Sequence, residues 1–168
     1  ISDLPNVTFG LAGAQAIPLD DETVDVVMMF KSLHHVPVEL MEQSLKEIRL
    51  VLKKDGLAYI SEPVYAGEFN EILSLFNDEK EVRELAFKSL QRVIDDGLFS
   101  LVEEVFFNTP RHYRNFAEFD QRIINATYSQ NDLGEDLYQE VKRRFERLNG
   151  DDGVHFLNPV RVDLLRKT

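Results

Sequence analysis

Three short clusters hold most of the side chains able to move protons or grip charge. His34 and His35 are adjacent imidazoles in the polar stretch Lys31–Val36, and histidine is the side chain that changes charge near neutral pH. The pair could serve as a base or as metal ligands. Adjacent side chains diverge, however, and no second pair of metal-type ligands lies at a fixed spacing, so no metal site is assigned. Arg111-His112-Tyr113-Arg114 is the densest cationic and aromatic cluster. A guanidinium there can hold an anionic substrate through its planar fork, and the alternative is a solvated strand end before a helix. Tyr65 follows a strand that ends at Pro63, where open parallel sheets place ligands, though it could equally be a packing residue of a lid. Arg111, Tyr113 and Tyr65 are the substrate-binding candidates. The acidic run Asp20-Asp21-Glu22 lacks the repeat of a calcium loop and reads as a solvated turn.

Composition narrows the classes. At 168 residues, one domain with a substantial core is expected. The formal net charge of -11 opposes binding to nucleic acid, where affinity rests on cationic neutralisation of phosphates, and opposes anionic membrane surfaces. The absence of cysteine excludes disulfides and thiolate metal sites and fits a cytoplasmic protein. No apolar run approaches the roughly 20 residues that a membrane helix needs, and no signal-peptide pattern opens the chain.

The elements that must position these residues follow from periodicity. Val7–Leu11 is a short strand candidate, weakened by Gly10. Val24–Phe30 is a continuous apolar run, which predicts a strand covered on both faces. Val38, Met41, Leu45, Ile48 and Leu52 recur at helical spacing, with Lys53 and Lys54 at the negative end of the dipole and Asp55-Gly56 as the stop. Gly56–Pro63 is the next strand, so strand, helix and strand predict a right-handed crossover and a parallel pair. Beyond it, 65–96 and 115–149 read as insertions of two helices each, with Asn115 as a cap. Between them Phe99–Asn108 is a strand candidate, and Val154–Leu165 reads as a last strand interrupted at Pro159.

Several short signatures then fall in one order. Gly13-Ala14-Gln15-Ala16-Ile17-Pro18, the acidic turn leading into Asp25-Val26-Val27, Ser32-Leu33-His34-His35-Val36, Leu52-Lys53-Lys54-Asp55-Gly56, and the terminal Phe156-Leu157-Asn158-Pro159 with Val162–Arg166 are similar to successive segments of one family. The chain resembles the class I S-adenosylmethionine-dependent methyltransferases, without their first two strands and glycine-rich loop. No G-x-G-x-x-G cluster occurs, and Gly13 stands where the family has an acidic residue facing adenine. The resemblance implies that Gly13, Ala14, Gln15, Phe30, Lys31 and Ser32 meet the cofactor S-adenosylmethionine, and that His35 sits near the transferable methyl as the catalytic candidate.

The expected fold is therefore α/β and Rossmann-like: a mostly parallel sheet, helices on both faces, an antiparallel last strand and an incomplete N-terminal side. Residues 1–168 form a single partial domain. The expected activity is methyl transfer to a small-molecule acceptor by the intact parent. The alternatives are a catalytically silent module acting through protein contacts and, ranked lower, a nicotinamide-dependent Rossmann enzyme. With the first strands missing, the Val26–Phe30 edge would be bare. Either it pairs directly with Val7–Leu11 or a second copy covers it as a homodimer.

Overall fold

A computed structural model describes residues 4–126 and 133–168. The start of the chain at 1–3 and part of the second insertion at 127–132 lie outside the described residues. Four strands form one sheet: β1 (Val24–Phe30), β2 (Leu52–Pro63), β3 (Phe99–Tyr113) and β4 (Val154–Lys167), in spatial order β1-β2-β4-β3. β1 and β2 are parallel, as their helical connection requires. β4 lies antiparallel to both β2 and β3. The α/β Rossmann-like class and the antiparallel last strand stand as expected. The sheet itself is mostly antiparallel rather than mostly parallel, because only β1 and β2 are joined by a crossover of the βαβ kind.

β1 has the expected bounds. The helix after it, α1, is Met41–Val51, shorter than the pattern suggested. Leu52 is already extended and opens β2, so the lysines that the periodicity placed at the helix end lie in the strand. Lys53 there pairs with Asp25 at 2.9 Å, and Asp55 rather than Gly56 takes the left-handed conformation, φ 62°. α2 (Glu68–Leu73) and α3 (Lys80–Asp95) fill the first insertion. α4 (Phe116–Phe119), capped by Asn115 accepting from the Glu118 amide, continues into a π-helical turn at Asp120–Ile124, and α5 is Glu135–Glu146. β4 runs straight through Pro159. Its ladder with β2 ends at Val160, so the missing proline amide costs no bond on that side. The turn into β4 needs Gly153 (φ 116°), since a Cβ there would lie 2.4 Å from the Tyr113 carbonyl oxygen.

Two cores form on opposite faces, because alternate residues of β4 point opposite ways. Leu165 joins Ala58, Ile60 and Met29 against Leu45 and Ile48 of α1 and Ala86, Leu90 and Val93 of α3. Val154 and Phe156, of the other parity, join Phe69 and Ile72 of α2 with Tyr113, Phe116, Phe119, Val141 and Phe145. The second core sits beyond the carboxyl ends of β1 and β2, where β3 and β4 outrun them. Its aromatic rings meet mostly edge to face, such as Tyr113 and Phe119 with centroids 5.3 Å apart.

Two expectations fail near β1. Val7–Leu11 forms no strand, and its apolar side chains are exposed; no described strand offers them a ladder. β1 is also not covered on both faces: Val26, Met28 and Phe30 are 45%, 60% and 62% exposed, while Met29 on the opposite face is buried. The helices that share that second face lie at its far end. Direct closure of the edge by Val7–Leu11 is thus not formed.

Candidate functional site

The site grows from the end of β1. Lys31 turns the chain in the left-handed region (φ 51°), and its amide donates to the Ser61 carbonyl of β2 at 2.6 Å. A bulky residue with positive φ is a conformation the surroundings must hold in place. Leu33–His35 then makes one 3-10 turn, anchored by Leu33, which is wholly buried. Glu62, at the carboxyl end of β2, closes the arrangement. Its Oε1 accepts from the Ser32 and Leu33 amides at 3.0 and 2.8 Å, and its Oε2 accepts from His34 Nδ1. His34 and Glu62 are both buried. A carboxylate so deep is stable only because these donors replace water.

Above this turn is a cavity of about 520 Å³, within the ordinary range for small-molecule sites. Lys31, His34 and His35 form one wall, and Pro63 and Val64 continue from β2. Phe69, Asn70 and Leu73 of α2 roof it, with Ile123 of the π turn. Arg111 enters from β3, Asn158–Val160 from β4, and Asn77, Glu79 and Arg83 close the remaining side.

The electrostatics are mixed. Burial, and then neighbouring His34, hold the His35 imidazole below its ordinary value, which favours its neutral, proton-accepting form. Burial, Arg111 and Arg83 together lower the Lys31 amine. Burial alone would raise the Glu79 carboxyl, but the Arg83 hydrogen bond and charge outweigh it and hold the group low. Arg83 donates to Glu79 at 2.5 Å and to the Asn70 side chain at 2.7 Å. Metal-type donors converge at two places among the described residues: His34, His35 and Glu79 in the cavity, and His112, Asp152 and His155 on the exposed β3–β4 surface, each group within 4.8 Å.

Residues 2–60 match the family model described as a methyltransferase domain. Among solved structures, one described as a methyltransferase from Bacillus halodurans C-125 superposes with a TM-score of 0.60 at 17% identity, covering 93% of this chain and 69% of the other. The YcgJ protein of Bacillus subtilis gives 0.60 at 18% identity, over 96% and 71%. The [4+2]-cyclase SpnF gives 0.51 at 16% identity, over 95% and 55%. No curated protein matches in sequence. The chain has the methyltransferase fold. Within that fold the cavity stands at the carboxyl ends of the parallel strands β1 and β2, the edge at which open α/β sheets hold ligands.

Of the residues singled out from sequence, the fold brings Lys31, His34, His35 and Arg111 to this cavity. Ser32 stands behind the wall, its amide committed to Glu62. Phe30 lies on the bare face, its ring 5.5 Å from Tyr59. Gly13, Ala14 and Gln15 lie in the loop before β1; Ala14 packs on the first core, and the Gln15 carbonyl accepts from Gln43. Tyr65 lines a neighbouring hollow with Arg83 and Phe87, and Tyr113 is buried in the second core. Sequence reasoning missed Glu62, Asn70, Glu79 and Arg83. Two signals were there: a carboxylate placed in an apolar strand just before Pro63, and Glu79 and Arg83 at the i,i+4 spacing of a helical ion pair.

Proposed function

We propose that this fold carries methyl transfer from S-adenosylmethionine to a small-molecule acceptor that enters the cavity beside His35. The observation that carries the reading is the wall Lys31–His35, locked by Glu62 at the carboxyl end of the parallel pair. The cofactor, when bound, supplies a methyl already activated on a sulfonium. The protein's work is then to orient the acceptor and keep water out. The residues present suit the methyl-facing half of such a site, with a rigid turn, an apolar roof of Phe69 and Leu73, and a largely neutral imidazole at His35. Ala14, Gln15, the Phe30 carbonyl and Ser32 would hold the cofactor on the β1 side, with the Lys31 backbone at its boundary and the Lys31 side chain in the acceptor cavity. His35 would accept at its ring nitrogen the proton that the acceptor loses.

A second reading rests on the bare strand. Val26, Met28 and Phe30 are exposed along the free edge of the sheet, which suits a protein contact, including a second copy of this chain. Calorimetric titration with S-adenosylhomocysteine, alongside light scattering, separates the two. Saturable binding at one site per chain is expected for the enzyme. No heat from a folded, self-associating chain would sink the methyl-transfer reading and favour the contact module.

A further inference from the structure

The cavity wall is cationic in a protein whose formal net charge is -11. Arg111 and Lys31 both line it, and neither forms an ion pair with any described residue. The Arg111 guanidinium sits over the Phe69 ring, 4.7 Å from its centroid, a cation–π contact that leaves its N–H groups available to donate. Arg83 supplies a third cation. Its side chain is nine-tenths buried, with one end consumed by Glu79 and Asn70, yet its Nε–H is buried without a partner. Burial first, and then the nearby Arg111 and Arg83 charges, lower the Lys31 amine. The remaining acids at the cavity are already engaged: Glu79 on Arg83, and Glu62 behind the wall on His34. The roof is apolar, from Phe69 and Leu73.

We infer that the cavity is built for an amphipathic anion: the acceptor carries an oxyanion group, carboxylate or phosphate, held by Arg111 and Lys31, with an apolar body against Phe69 and Leu73. This rests on the reading of the cavity as the acceptor site.

The test titrates the chain with benzoate, phenyl phosphate and neutral benzamide, and separately with S-adenosylhomocysteine. Benzoate or phenyl phosphate should bind about tenfold or more tightly than benzamide, since charge-assisted bonds are roughly twice as strong as neutral ones. The stronger of the two anions names the group. Arg111→Gln and Lys31→Gln should each remove most of that preference, while Lys88→Gln, an equal charge change on the exposed face of α3, should leave it. Added salt should weaken the anion and not benzamide, a readout that does not depend on any variant folding. Equal binding of all three probes, or none, by a chain that binds S-adenosylhomocysteine overturns the anion site and leaves methyl transfer standing. Displacement of benzoate by S-adenosylhomocysteine overturns it too, since the cations would then serve the cofactor. Anion binding without S-adenosylhomocysteine binding keeps the site and refutes the methyl-transfer reading; failure of both refutes both.

Discussion

Replacing Glu62 by alanine should be among the costliest single changes in this chain. The carboxylate accepts from the Ser32 amide, the Leu33 amide and His34 Nδ1, and it is buried. Its removal strands the Leu33 and His34 donors in the protein interior and the Ser32 donor at its margin. Each buried donor left unmade costs about 1–3 kcal/mol. Two such buried donors together predict a loss of about 2–6 kcal/mol, a large share of the roughly 5–15 kcal/mol that holds a domain together. Glu62→Gln is the informative control. Its amide oxygen can still serve both backbone amides and its amide N–H can donate to His34 Nδ1, so only the charge-assisted character is lost, and the loss should be about 1–2 kcal/mol. Equilibrium urea unfolding reads both, with an unchanged slope certifying that only stability moved. A cycle with His34→Ala should return a coupling of about 1.5–3 kcal/mol. A Glu62→Ala loss below about 1 kcal/mol, or one equal to that of Glu62→Gln, would refute the idea that this carboxylate ties the ends of β1 and β2 together.

Other outcomes follow from the charged groups elsewhere in the fold. The Glu118 carboxyl is lowered to about 2, first by the Arg114 amide and side chain and then by Arg122, so its stabilisation is present above about 4.5 and lost as pH falls towards 2. The gap in urea midpoint between the parent and Glu118→Gln should therefore hold steady at higher pH and close across that window; a gap independent of pH would contradict it. His35, held below 6.5, favours the neutral folded form, so its contribution is intact above 6.5 and fades on acidification. Its ring resonances in an NMR titration should turn over below 6.5, and a midpoint above that value would remove it as a neutral base. Asp163 bonds Arg161 at 2.8 Å under the first core, and Arg161 stacks on Phe87 at 3.6 Å. Asp163→Ala should cost about 3–5 kcal/mol, whereas replacing both partners with apolar residues should cost far less, because no charge is left buried and alone. Thermal unfolding of the single and double variants decides between the two.

How legible all this was from sequence depends on range. β1, helices within 65–96 and 115–149, the Asn115 cap and the antiparallel last strand could be read because local periodicity and turn chemistry specify them. The helix end at Val51 was misplaced because Lys53, Asp55 and Gly56 have good helix-stop chemistry, while the pairing of β2 with β1 and β4 claims them for a strand. The bare face of β1 was hidden since apolar side chains look alike in sequence whether covered or not. Of the cavity's lining residues, His34, His35 and Arg111 stood out by residue type, and Lys31 through the resemblance. Glu62 did not, for its role exists only through partners that the fold brings near, and the local Glu79–Arg83 pair gave no sign that it would face a cavity. Glu62 serves amides some thirty positions away, and only the parallel pairing brings them to it.

The position of β4 also sets the order in which the molecule can be made. It is the last strand in sequence but lies between β2 and β3, pairing Leu57 with Arg166 and Phe99 with Lys167. The βαβ unit rests on short-range contacts, whereas joining β2 to β3 requires β4 between them, so the sheet is expected to close last. Non-local pairing of this kind slows folding. Asn158, Pro159 and Val160 of that strand form part of the cavity wall. Ligand-binding competence should therefore arise only in the final kinetic phase of refolding, after most helical signal has returned, and a ligand present from the start should leave the early phases unchanged.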